Sequence, residues 1–329
     1  MSTKKRPNDM KRISIYVALA IYAGLLVIAW FEARSHAAFA TGLGRHFSYA
    51  FVSFAWLLAP LWFFAFGVGE WLRDSIHSRA LRIFLPAWLG APYLIFELGD
   101  FHWVTAALLF GLPIVLAALL EFSNPPNSMV WQDALVLAIL IAVYLLRLLS
   151  AAWPYPGSAA LPKLFVADLA LYLYLVVRRL EDMGYSLLPS ADAFRIGLRE
   201  WTYFLPFAFI IGFTTSFIHF HPQLPSALHA GGILLATFLL VAIPEEMFFR
   251  CILQNLLETR FGRRTALVAA SALFGLAHFN KGAVFNWRYV LLASIAGVFY
   301  GRAWRTKRQL LASVVTHTAV DVVWALWFR

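Results

Sequence analysis

Apolar runs of about twenty residues recur along the whole chain, parted by short polar joints. They centre on residues 13–30, 48–68, 84–101, 103–121, 130–149, 164–178, 203–220, 231–256, 264–283, 288–304 and 309–328. A helix needs roughly 20 apolar residues to cross about 30 Å of hydrocarbon, so each run is long enough or nearly so. Within lipid every backbone N–H and C=O must find its partner inside the span, and tandem apolar runs therefore fold as helices. The pattern predicts an all-α, polytopic transmembrane helical bundle of about 10–11 spans, the count depending on whether 84–101 and 103–121 form one hairpin or two crossings. The joints carry turn chemistry: Asn124-Pro125-Pro126-Asn127, Pro154-Tyr155-Pro156-Gly157 and His221-Pro222-Gln223-Leu224-Pro225.

One stretch breaks the pattern. Residues 183–202 set Asp192, Arg195, Arg199 and Glu200 among apolar positions, which predicts an amphipathic helix lying in the membrane interface. It divides the chain into N-terminal transmembrane helices over 1–182, where no chemistry stands out, an interfacial linker over 183–202, and a transmembrane core over 203–329. The first run follows a basic head and precedes Ala38-Phe39-Ala40, which resembles a signal-peptidase site. The run exceeds the roughly 7–15 residues of a signal h-region, so it reads as a retained first span.

Composition sharpens this picture. Hydrophobic residues make up 61% of the chain and charged residues 13%, against roughly a quarter charged in a soluble domain. The net charge of +10 does not mark a nucleic-acid surface, because the basic residues sit at span ends. With the N-terminus in the cytoplasm, Lys4, Lys5 and Arg6, then Arg73, Arg79 and Arg82, then the groups at 178–199, 260–264 and 302–308 all fall inside, as the positive-inside rule requires. The partner expected is therefore the bilayer, not nucleic acid. A single cysteine, Cys251, excludes an intramolecular disulfide.

Ionisable residues inside spans are costly and point to function by default. Most candidates dissolve: Glu70, Arg73 and Asp74 lie at a span end, Arg147 can snorkel, and Glu97 and Asp100 lie near an interface. Leu98-Gly99-Asp100 lacks the first glycine of a GxGD aspartyl-protease pattern, and His219, His221 and His229 read as a polar loop. The segment VAIPEEMFFRCILQ does not dissolve. Glu246 and Arg250 are four apart on one helix face, acid first, as favours pairing, so they read as a structural ion pair. Glu245 is displaced by about 100° from Glu246 and faces elsewhere, as a candidate general base. The next apolar run ends Phe274-Gly275-Leu276-Ala277-His278, and the last carries His317 and Asp321 four apart at mid-span. The bland alternative for a lone membrane histidine is an interhelical hydrogen bond.

EExxxR, FxxxH and HxxxD, in that order on successive helices, resemble the signature of the CPBP family of CAAX proteases and bacteriocin-processing enzymes, whose eukaryotic branch is the type II CAAX prenyl endopeptidase. The resemblance covers roughly residues 195–329. It implies an intramembrane endopeptidase that cleaves a membrane-anchored protein or peptide, CAAX-like or anchored by a C-terminal tail, in which Glu245 and His278 activate water, His317 and Asp321 stabilise the oxyanion, and Glu246 and Arg250 hold the site. The third motif of the family often ends in Asn. Asp321 stands there here, and an ionised carboxylate cannot donate a hydrogen bond. Residue 321 is therefore read either as a donor when protonated or as a group that orients His317 or binds a cation. One carboxylate and two histidines suffice for zinc or another divalent metal, and the same groups can activate water unaided. Two other readings stand beside the protease: a silent membrane scaffold or immunity protein of the same fold, and a transporter using these residues as a proton relay.

Overall fold

The computed structural model describes residues 7–35, 46–96, 102–123, 128–154, 158–223, 225–279, 281 and 285–328. The described chain is helical throughout, with no strand among the described residues. Five helical stretches are long and apolar enough to cross a membrane: Phe47–Phe66, Trp103–Glu121, Ala160–Val177, Ala227–Leu276 and Leu310–Trp327. Ile15–Phe31 and Trp131–Leu145 are shorter apolar helices. The protein is a polytopic helical membrane protein. The run Ala227–Leu276 joins two of the predicted spans, which part at Gly262, where the backbone is non-helical. Glu97, Asp100, Ala38-Phe39-Ala40 and the Asn124–Asn127 joint lie outside the described residues.

The chain divides into two compact units, residues 1–126 with 130–180, and residues 127–129 with 181–329. The first unit holds α1 (Pro7–Ser35), α2 (Phe47–Phe66), α3 (Trp103–Glu121), α4 (Trp131–Leu145) and α5 (Ala160–Val177), with short helical pieces between α2 and α3. It contains buried charge that the sequence pattern did not single out. Arg178 Nε donates to Asp133 Oδ1 at 3.0 Å, with both side chains at most 2% exposed. Asp133 Oδ2 also accepts from the Val130 backbone N–H at 2.9 Å, capping α4. Asp133 thus closes a helix end and neutralises an arginine at once. Asp168, in the middle of α5, is also buried.

The second unit holds α6 (Ala191–Thr214), α7 (Ala227–Leu276), α8 (Trp287–Lys307) and α9 (Leu310–Trp327). Residues 183–190 are not helical, and α6 starts where Ser190 Oγ caps the Ala193 N–H at 3.0 Å. From there α6 runs on to Thr214, so the predicted interfacial stretch and the following span are one continuous helix. Small residues let these helices approach. A Cβ on Gly197 would lie 2.7 Å from Val315 on α9, and one on Gly275 would lie 1.9 Å from Ser294 Oγ on α8. Thr316 Oγ1 uses the first approach to donate to the Gly197 carbonyl at 3.0 Å. Such close packing of small residues drives helix association in lipid.

The segment before α6 is pinned to the α8–α9 turn. Trp304 Nε1 donates to the Met183 carbonyl at 3.1 Å and the Leu310 N–H to the Gly184 carbonyl at 2.9 Å. Gly184 has φ 61°, and a Cβ there would sit 2.0 Å from the Arg308 carbonyl oxygen, so only glycine fits.

Candidate active site

α7 carries the two adjacent acids on an unusual stretch of helix. The single α-helical turn Ile243–Glu246 is flanked by π-helical turns at Thr237–Ala242 and Met247–Gln254. Widened i→i+5 turns of this kind occur often at functional sites. Farther along, Gly262 breaks the helical path at φ 77°, ψ 166°, and the helix then resumes towards His278.

Glu246 and Arg250 are wholly buried, and Arg250 Nε donates to Glu246 Oε2 at 3.0 Å. The other oxygen, Oε1, lies 2.8 Å from Nδ1 of His317 on α9. Glu246 therefore serves two partners, and the sequence pairing with Arg250 accounts for only one. The arginine is also set against aromatic faces, its guanidinium carbon 5.1 Å from the Phe274 ring centroid and 6.0 Å from that of Tyr300.

Glu245 points a different way, as the 100° offset predicts. Its Oε2 lies 3.8 Å from His278 Nε2 and 3.9 Å from His317 Nε2. Asp321 Oδ2 lies 3.4 Å from the same His317 Nε2. His278 Nδ1 lies 2.8 Å from the Phe274 carbonyl oxygen, an acceptor, so the ring donates there and leaves Nε2 with its lone pair. Four side chains from α7, from the turn that follows it and from α9 thus converge on one point. Two atoms 3.8 Å apart can both hydrogen-bond a water set between them.

Aromatic rings fix the two imidazoles. Tyr300 stacks on His317 at 4.6 Å between centroids and 15° between planes, and Tyr289 stacks on His278 at 5.3 Å and 21°. Phe274 meets His317 edge-on at 5.7 Å. No motif spacing marks Tyr289 or Tyr300, and the one available signal was that both fall on the helix between the two histidines. A cavity of about 120 Å³ opens beside the cluster. Its walls are apolar, from residues such as Phe204, Phe209, Phe217 and Trp324, and its polar end presents His278, His317 and Asp321. Asp321 is the most open of the polar groups, its side chain 33% exposed.

His219, His221 and His229 lie on the surface, away from this cavity lining. Among the described residues no three His, Cys, Asp or Glu side chains stand at metal-ligating spacing. The chemistry of the donor set does suit a divalent ion: two Nε2 atoms and a carboxylate, with each imidazole held through its Nδ1 by a carbonyl or carboxylate, as is usual around zinc.

No curated protein and no solved structure matches the chain. Residues 227–323, from the start of α7 to within α9, match the family model of type II CAAX prenyl endopeptidase Rce1-like domains. The matched span contains Glu245, Glu246, Arg250, His278, His317 and Asp321, so this part of the chain is similar to the CAAX protease family.

Proposed function

We propose that the unit formed by residues 181–329 is an intramembrane endopeptidase that hydrolyses a peptide bond in a membrane-anchored substrate, with Glu245 as the base. The observation that carries this reading is the placement of Glu245 Oε2 within 4 Å of the Nε2 atoms of His278 and His317, two residues that line the polar end of an apolar cavity. Water held between Glu245 and His278 attacks the scissile carbonyl carbon. Its proton passes to Glu245, and the carbonyl π pair moves to oxygen. Collapse of the tetrahedral species breaks the C–N bond, and the amine leaves with the proton that Glu245 held. Glu246 and Arg250 hold His317 in place from below, and Asp321 faces its other nitrogen. Were a divalent ion bound, Glu245, His278 and His317 would hold it, and it would supply Lewis-acid activation of water. The metal-free route is favoured because Glu245 cannot readily act as ligand and base together.

The apolar cavity suits a substrate that brings its own hydrophobic group, and the family match extends this to a prenylated CAAX-type C-terminus. The test uses the full chain, purified in detergent, with a farnesylated fluorogenic peptide ending in a CAAX sequence. Wild-type protein is expected to cleave it, and Glu245→Gln to lose at least about 10²-fold in kcat, as for a lost general base. Full cleavage by the Gln variant would overturn the assignment and favour a silent scaffold or a relay for protons.

A further inference from the structure

A second ionic cluster stands apart from the catalytic one, and none of its charged residues lines the cavity. Glu200, near the start of α6, is 1% exposed, and both of its oxygens face arginines. Oε1 accepts from Arg199 Nη2 at 2.8 Å and from Arg199 Nε at 3.2 Å. Oε2 lies 3.1 Å from Nε of Arg302 on α8. One carboxylate between two permanent cations leaves the cluster with a net charge of +1. The carboxylate is buried and the cations are not: the side chains of Arg199 and Arg302 are 45% and 41% exposed. Among the described residues, Arg199 Nη1 and both Nη groups of Arg302 make no hydrogen bond to the protein. Glu200 thus holds two guanidiniums side by side with donors to spare. We propose that this pair binds the phosphate headgroup of an anionic phospholipid at the α6–α8 seam, a role independent of the peptidase reading.

The surroundings decide between a lipid and a soluble anion. The Arg302 guanidinium carbon lies 5.5 Å from the Phe299 ring centroid and 5.9 Å from that of Tyr203. Phe299 packs in turn on Phe204 and Phe207. Beyond Glu200, α6 carries no charge as far as its end at Thr214. That stretch leaves Tyr203, Phe207 and Ile210 between 48% and 66% exposed. A charged fork therefore heads an exposed apolar strip, as a phosphate heads its acyl chains. From Arg199 to Ile210 the helix rises about 16 Å, close to the depth of one leaflet of hydrocarbon. Charge then selects the headgroup. A zwitterionic lipid brings a cation of its own, which the net positive charge repels, whereas an anionic lipid is attracted. The other acid of α6, Asp192, is taken up by Lys307 and Arg195 and does not neutralise the pair.

The test uses the full-length protein, stripped of native lipid in a neutral detergent. Native mass spectrometry and thermal unfolding follow the addition of phosphatidylglycerol, of phosphatidylcholine with the same acyl chains, and of glycerol 3-phosphate. Phosphatidylglycerol is expected to bind and to raise the melting temperature saturably, and the other two to do neither. Arg302→Gln leaves Glu200 paired with Arg199 at 2.8 Å, so the protein should fold. It should bind phosphatidylglycerol about tenfold more weakly, as for one lost charge-assisted contact. Arg302→Lys covers a Gln variant that fails to fold: it keeps the charge without the fork and should also bind more weakly. Arg264→Gln removes an exposed arginine elsewhere, on α7, and should leave binding unchanged. Phosphatidylcholine or glycerol 3-phosphate matching phosphatidylglycerol overturns the proposal. So does a folded Arg302 variant that binds like wild type, or an equal loss in Arg264→Gln, which would make the effect one of surface charge. Cleavage is not measured, so this proposal and the peptidase reading fail separately.

Discussion

Arg250→Ala isolates the structural half of the cluster. Arg250 and Glu246 are both 0% exposed and their charged groups meet at 3.0 Å. Truncation leaves Glu246 in a buried site with His317 as its remaining partner at 2.8 Å. Stranding one member of a buried ion pair costs roughly 3–5 kcal/mol. The lost cation–π contacts with Phe274 and Tyr300 push towards the upper end of that range. At about 2–4 °C per kcal/mol for a unit of this size, the melting temperature should fall by roughly 10 °C. The assay is thermal unfolding of the purified full chain in detergent, followed by tryptophan fluorescence and by size exclusion after heating. A companion variant, Arg250→Met with Glu246→Gln, removes both charges, while the amide oxygen can still accept from His317. It should recover most of the lost stability, since apolar replacement of a buried pair is often neutral. Arg250→Ala melting within about 2 °C of wild type would refute the reasoning, and a double variant no better than the single would put the loss in packing rather than in stranded charge.

Three further outcomes are expected. Glu245→Gln should express and melt like wild type while losing cleavage, because the proposed base stands outside the Glu246–Arg250 ion pair; a large drop in yield would contradict that. Asp321→Asn should lose about tenfold or more in kcat at every pH, because the amide removes the carboxylate that faces His317 Nε2 at 3.4 Å; retained activity extending to higher pH would make residue 321 an oxyanion donor. Chelation should leave cleavage intact, and stoichiometric zinc in active protein, with activity lost on its removal and restored by its return, would place a metal between Glu245 and the two histidines.

Helical membrane architecture was legible from hydropathy alone, because lipid leaves the backbone no alternative to helix over such runs. So were the pairings of Glu246 with Arg250 and of His317 with Asp321, since an i,i+4 spacing fixes a shared helix face wherever the helix sits. What crosses between helices was not legible. Glu246 reaching His317, 71 positions on, has no local spacing to announce it. The stacking of Tyr289 and Tyr300 on the histidines is equally a matter of how α8 lies against its neighbours. The Asp133–Arg178 pair was hidden for the same reason: each residue stands near the end of its own helix, where a charge looks solvated until the fold buries it. The continuation of α6 past residue 202 was hidden too, because charge patterning before it and Pro206 after it both suggest a break that the helix carries through.

The π-helical turns around Glu245 and Glu246 bear on how this chain should be aligned with others. Each such turn holds one residue more than an α-helical turn, so a sequence could drop a residue at 247–254 and still continue as helix. Losing that residue together with the bulge would keep the helix beyond it in register, whereas losing the bulge at constant length would rotate everything beyond it by about 100° relative to the paired acids. Gaps placed inside this helix, which alignment practice usually penalises, would then be the correct ones.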